Sequence, residues 1–174
     1  MTDKPPFSLV GQPTIDLMLS VAGNTPYGCF VEVGVYKGGT AWHLDRLALD
    51  QGRMCYLYDT FTGIPYTSQV DYHQVGDFKD TDFEEVVRMM KVSQVVKGIF
   101  PESAVFMTPI AFVHLDCDQY QSIIESCRYL EPKMVKGGVI WFDDSPILAG
   151  AEKAVTELYG DRVQILGGKH YVTF

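Results

Sequence analysis

Phe30-Val-Glu-Val-Gly-Val-Tyr-Lys-Gly-Gly-Thr40 is an apolar run that ends on an acid and leads directly into a glycine-rich turn opening a helical stretch. Glycine accepts the backbone angles of such a turn and carries no side chain to hold a ligand away, so the segment has the form of a cofactor cradle at the C-terminal edge of a strand. Gly34, Gly38 and Gly39 follow the spacing G-x-x-x-G-G, not the G-x-G-x-x-G of dinucleotide folds. Glu32, two residues before the first glycine, would repel a pyrophosphate and attract a cation. S-adenosylmethionine, with its sulfonium and α-amino group, is the expected complement, and a nicotinamide cofactor is disfavoured. The competing reading is a β-α turn whose glycines serve only close helix-strand packing.

Outward from this turn, apolar runs alternate with helix-like stretches, which predicts an α/β fold with a mostly parallel sheet and helices on both faces. The runs are Gly28–Val33, Met54–Tyr58, Gln94–Lys97, Ala111–Leu115, Gly138–Phe142, Val163–Leu166 and Tyr171–Phe174, and the helical stretches are Thr14–Ala22, Thr40–Asp50, Thr81–Met90, Gln121–Glu131 and Ala149–Tyr159. Gly167-Gly168-Lys169-His170 separates the last two runs as a short glycine loop, so an antiparallel hairpin should close the sheet. Five parallel strands plus a hairpin is the seven-stranded, Rossmann-like arrangement of class I methyltransferases. The long stretch from Thr60 to Asp80 lacks periodicity and leaves the second strand at the ligand-binding edge, so it is expected to fold over the cofactor.

The chain's 174 residues, 47% of them hydrophobic, suffice for one domain spanning 1–174 with one well-packed core. A net charge of −8 argues against nucleic acid as a partner. Neither a leader at Met1–Pro6 nor an apolar run of about 20 residues is evident, so a cytoplasmic protein without a membrane partner is expected. Cys29, Cys55, Cys117 and Cys127 form no C-x-x-C pair and are expected to be thiols, mostly buried.

Acids recur at strand ends. Asp59 stands 27 residues after Glu32, where this class of fold binds the ribose hydroxyls; the alternative is a turn cap. His114-Leu-Asp-Cys-Asp-Gln-Tyr120 and Val139-Ile-Trp-Phe-Asp-Asp144 end adjacent strands, so up to four carboxylates converge. Such a group calls for a divalent cation, and oxygen-only ligands suit Mg2+, Mn2+ or Ca2+. The competing expectation is that Asp118 or Asp144 caps the following helix, with Pro146 near a helix start. His114 shares the face of Asp116 and is read equally as a core or a functional histidine; His43 is expected in a helix, and His73 in the long loop.

Taken in order, Phe30–Thr40, Tyr56-Leu-Tyr-Asp-Thr-Phe-Thr-Gly-Ile-Pro65, Gly76–Thr81, Lys97-Gly-Ile-Phe-Pro101, His114–Tyr120 and Gly137–Asp144 resemble the macrocin O-methyltransferase family. The L-D-x-D-x-Y and F-D-D blocks carry most of that likeness. The resemblance implies a magnesium-assisted, S-adenosylmethionine-dependent transfer of methyl to a hydroxyl, often on a sugar of a natural product. It also implies that Asp116, Asp143 and Asp144 bind the metal and that Glu32, Gly34 and Asp59 hold the cofactor. Tyr36, Gly38, Thr40, Thr60, Gly98, Ile99 and Asp116 itself would line the cofactor pocket, with Asp116 also the preferred base and Asp118 or His114 behind it. Two departures stand out: Thr62 replaces a common acid, and only about 27 residues precede the first strand where the family usually has extra N-terminal helices and a lid. The acceptor side is therefore expected to be open, or completed by a second subunit. The acceptor is a small hydroxyl compound such as a sugar; a catechol-like diol and a non-catalytic S-adenosylmethionine-binding role are the alternatives.

Overall fold

The computed structural model describes residues 4–105 and 109–174. The first three residues of the segment examined for a leader, Met1–Asp3, lie outside them. Among the described residues seven strands form one sheet: β1 Cys29–Val33, β2 Cys55–Asp59, β3 Gln94–Lys97, β4 Ile110–Leu115, β5 Met134–Phe142, β6 Gln164–Leu166 and β7 Lys169–Thr173. Five α-helices accompany them: α1 Gln12–Gly23, α2 Gly39–Asp50, α3 Phe83–Met89, α4 Tyr120–Leu130 and α5 Ala149–Tyr159. The spatial order is β3-β2-β1-β4-β5-β7-β6, with β5 to β7 and β7 to β6 antiparallel and every other pair parallel. The strand order reverses between β1 and β4, and that crevice is where open α/β sheets bind ligands.

The central strands β1 and β4 are buried along their whole length, as parallel strands covered on both faces must be. Alternation divides their side chains between two cores. Val31, Val33, Val113 and Ile140 pack with Ile123 and Cys127 of α4 and Ala151 and Val155 of α5. Phe30, Phe112 and Trp141 pack instead with Met18 of α1 and Leu44 of α2. Glu32, His114, Asp143 and Lys169 have the parity of this second face, so the polar groups of four neighbouring strands are set on one side of the sheet.

The expected sheet and hairpin are present, with two local differences. Lys169 and His170 are strand residues paired with Leu166 and Ile165, so the connection is Gly167-Gly168 alone. Both glycines have positive φ, 59° and 80°, the conformation of a two-residue turn whose twist matches the flanking strands. β5 begins four residues before the expected Gly138, because its N-terminal part, Met134, continues to pair with Ile110 across an irregularity in register. No disulfide links the four cysteines. Among the described residues no helix is long and apolar enough to cross a membrane.

Candidate functional site

The C-terminal ends of the five parallel strands are tied into one rim by four backbone hydrogen bonds. Gly98 N donates to Asp59 O, Gly34 N to Tyr58 O, Asp116 N to Val33 O and Asp143 N to Leu115 O, at 2.9 to 3.0 Å. Above this rim lies a cavity of about 430 Å3, within the range of small-molecule sites. Gly34, Tyr36, Thr40, Asp59, Thr60, Gly98, Ile99, Asp116, Asp143 and Asp144 all line it. Of the residues expected at the cofactor or metal, Glu32 and Gly38 do not.

Glu32 is fully buried beneath the floor, with Oε1 2.8 Å from His114 Nδ1 and Oε2 without a hydrogen-bond partner. The direct contact with a cofactor expected of this acid is therefore not what the structure shows. Glu32 lies within the ladder, paired in register with Leu57 and His114, whereas the chain opens to the cavity only at Gly34. Burial raises the Glu32 pKa despite the opposing pull of His114. Gly38 has φ 83° and caps the start of α2, and a Cβ there would face Met89, Met90 and Val86, not the cavity.

Gly34 is the closest approach in the cradle. A Cβ at this position would sit 1.7 Å from the carbonyl oxygen of Asp116, and φ is +95°. The glycine thus lets the β1 turn pass against the end of β4. Asp59 secures the same turn: its Oδ2 accepts the N–H groups of Val35 and Tyr36, each at 2.8 Å, and its Oδ1 accepts Phe61 N at 2.7 Å. It is a turn cap and a cavity-lining residue at once, with lone-pair capacity remaining on Oδ1.

On the other side of the cavity, Asp116, Asp143 and Asp144 each place a carboxylate oxygen within 4.8 Å of the others. Neither Asp118 nor Asp144 caps a helix with its side chain, contrary to the competing expectation. The residues at those positions are Gln119 and Leu148, and the oxygen of Asp144 is spent on Asp118 N at 3.0 Å, holding Asp118 at a left-handed φ of 58°. Burial and then the charge of Asp144 push the Asp116 carboxyl well above the usual range. The same two causes bring Asp118 up to about 9, and burial with the charge of Asp143 brings Asp144 to about 6. Burial acts to raise Asp143 too, but His114 and Lys169 outweigh it and leave this carboxyl below its ordinary value. Lys169 Nζ is 2.9 Å from Asp143 Oδ2, and His114 Nε2 is 3.8 Å from Asp143 Oδ1. Three carboxylates facing each other, one with its buried Oδ1 lacking a hydrogen bond, fit a hard divalent cation held by oxygen ligands.

The loop between Thr60 and Asp80 covers the cavity, supplying Thr60, Gly63, Ile64, Pro65, Tyr66, His73 and Phe78 to its lining. Sequence reasoning found the loop and missed its anchor. Asp71 Oδ1 accepts Tyr120 N at 2.8 Å, capping α4 from a distance of 49 residues in the chain. His73 is held between Asp77 Oδ2 at 3.5 Å and Asp118 Oδ1 at 3.6 Å. No local pattern marks Tyr120 or Asp118 as partners of the loop, since both contacts are made across the fold; only the His73 and Asp77 pair is local. Phe7, Ser8, Leu9 and Val10 complete the wall, with Ser8 Oγ 3.5 Å from Thr40 Oγ1.

Among solved structures, the O-methyltransferase NovP superposes with a TM-score of 0.81 at 21% identity, covering 95% of this chain and 81% of its own. The calicheamicin methyltransferase CalS11 gives 0.75 at 20% identity, covering 93% and 77%. An O-methyltransferase from Bacillus cereus in complex with SAH gives 0.63 at 16% identity, covering 97% and 84%. These likenesses establish the fold. No curated protein sequence matches significantly. Residues 7–165 match the family described as macrocin-O-methyltransferase (TylF), which spans the cradle, the loop and both acidic strand ends, and the chain accordingly belongs to this methyltransferase family.

Proposed function

We propose that this protein transfers a methyl group from S-adenosylmethionine to a hydroxyl of a sugar-like small molecule, with a divalent cation, Mg2+ or a similar ion, at the acidic strand ends. The observation that carries the proposal is one cavity with two chemically different ends: the Gly34 turn knitted by Asp59, and the Asp116, Asp143 and Asp144 carboxylates. The sugar acceptor follows from the family and from its neighbours, CalS11 being described as a TDP-rhamnose 3′-O-methyltransferase.

An alcohol is a weak nucleophile at neutral pH, whereas a methyl on a sulfonium is already activated. S-adenosylmethionine would supply that electrophile, held against the backbone of Gly34 to Tyr36, beside Asp59 and under Gly98 and Ile99. A cation held by Asp116, Asp143 and Asp144 would supply Lewis acidity toward neighbouring acceptor oxygens. The chain's own part is to orient the hydroxyl and take its proton. The geometry divides two roles that sequence reasoning gave to Asp116: this residue lies within the ligand trio, while Asp118 lies outside it, lines the same cavity and faces His73. We assign the proton to Asp118. Neutralising Asp144, whose charge is the second cause of the rise in Asp118, brings that carboxyl down from about 9 toward the working range of a base. Tyr66 and Phe78, with the segment Phe7–Val10, wall the cavity in which the transfer would take place.

Asp118→Asn should cut methyl transfer to a vicinal-diol sugar by about 100-fold or more, the usual scale for a general base. Its affinity for S-adenosylmethionine, measured by calorimetry, should stay within a few-fold of wild type. Unchanged turnover would remove Asp118 as the base, and absence of S-adenosylmethionine binding in the wild type would end the methyltransferase assignment of the cavity. Screening catechols beside the sugars decides between ring and sugar diols.

A further inference from the structure

The terminal hairpin brings a side chain to the acidic cluster that the transfer chemistry does not call for. Lys169, the first residue of β7, is 9% exposed. Its Nζ donates to Asp143 Oδ2 at 2.9 Å and also to the Asp143 carbonyl oxygen. The next residue fixes the strand: His170 N donates to Ser145 O at 3.0 Å, and its Nδ1 lies 2.7 Å from Ser145 Oγ. The hairpin is thus clamped to the Asp143–Ser145 segment at successive residues. Among the described residues, Lys169 is the only lysine or arginine within 4.0 Å of any carboxylate of the Asp116, Asp143 and Asp144 group. A nearly dry ammonium is costly unless paired, and so is a group of like charges without a counter-ion; each offsets the other here.

We infer that Lys169 is a positioning residue and the resident counter-cation of this cluster. It neutralises Asp143 when no divalent ion is held, leaves Oδ1 as the oxygen of Asp143 without a protein hydrogen bond, and by its fixed charge weakens ion binding. The inference rests on the metal-assisted reading above. Because repulsion between ammonium and cation is mutual, removing the lysine must strengthen ion binding by as much as the ion weakens the lysine's hold.

Metal-free wild type, Lys169→Met and Lys169→Gln are titrated with Mn2+ and with Mg2+ by calorimetry, and thermal unfolding is followed with chelator and with saturating Mg2+. Gln keeps a hydrogen-bond donor without the charge and guards against a Met variant that fails to fold; Lys169→Arg keeps the charge and should bind ions within about threefold of wild type. The neutral variants should bind Mn2+ about tenfold more tightly than wild type, a coupling of ordinary size. They should melt lower than wild type in chelator and recover most of the difference in Mg2+. Equal or weaker ion binding by the neutral variants, with wild type binding normally, overturns the counter-cation and leaves the proposed function standing. Ion binding by the neutral variants but not by wild type supports the counter-cation while refuting metal assistance in the native chain. No binding by any form refutes both.

Discussion

His114 Nδ1 lies 2.8 Å from Glu32 Oε1, and neither side chain reaches solvent. The two residues are register partners on adjacent parallel strands at the switch in strand order, so the pair bridges the middle of the sheet directly below the cavity. Burial acts to lower the His114 pKa, but the carboxylates of Asp143 and Glu32 raise it well above the ordinary value. The pair therefore belongs to the foundation of the site.

Glu32→Ala should destabilise the fold by about 3–5 kcal/mol, the cost of leaving one member of a buried pair without its partner. Urea unfolding measures this. A loss below about 1 kcal/mol would mean that His114 finds another partner, and a variant of native stability that no longer binds S-adenosylmethionine would restore the direct cofactor contact expected of Glu32.

Asp59 ties the cradle to the loop by three backbone hydrogen bonds. Asp59→Ala should weaken S-adenosylmethionine binding by tenfold or more on the order of a lost charge-assisted bond, and reduce stability by about 1–3 kcal/mol for the N–H groups left unpaired. Calorimetry and denaturation together separate the two effects. Affinity unchanged in a folded variant would leave Asp59 as a turn cap alone.

At Gly34 the space for a side chain is already taken by the Asp116 backbone, and the backbone lies in the left-handed region. Gly34→Ala must push the β1 turn away from β4, costing about 1–3 kcal/mol and loosening the cavity. The variant should show a lower Tm and impaired cofactor binding together. A variant with both at wild-type values would contradict the close approach.

Without metal, stability should fall as pH rises from about 4 to about 9. The unfolded Asp value is about 3.9. In the folded state Asp144 stands at about 6 and Asp118 at about 9, so through this interval the native chain binds more protons than the unfolded chain and raising pH favours unfolding. Glu32 and His114, both raised, act in the same direction. Asp143, lowered, acts oppositely, but its contribution is lost only as pH falls below the ordinary carboxylate range. Scans of Tm against pH in chelator and in saturating Mg2+ test this, with about 2–4 °C expected per kcal/mol for a chain of this size. The slope should flatten with Mg2+; a Tm in chelator that rises over the same interval would contradict it.

The pattern of the chain was enough for α5, whose bounds Ala149–Tyr159 match the helical periodicity, and for β3, Gln94–Lys97, because both are bounded by local signals. It was less reliable for the hairpin, where the apolar run from Tyr171 concealed that Lys169 and His170 already pair. A lysine and a histidine resemble loop residues until the strand opposite gives them partners. Asp71 as the cap of Tyr120 and His73 as the neighbour of Asp118 left no mark in spacing at all.

The sequence by itself determined the sheet, the hairpin and the acids at the strand ends, because hydrophobic periodicity and glycine turns act over a few residues. Only the tertiary structure decided which of those acids meet the cavity. Strand register assigns each residue to a face and a depth, and a step of one residue reverses the face. Asp116, Asp143 and Asp144 thus reach one another at the open end of the ladder, while Glu32, two residues short of Gly34, is locked beneath it on His114. Lys169 arrives at Asp143 from 26 residues further along the chain, a meeting that packing of β7 against β5 alone could fix.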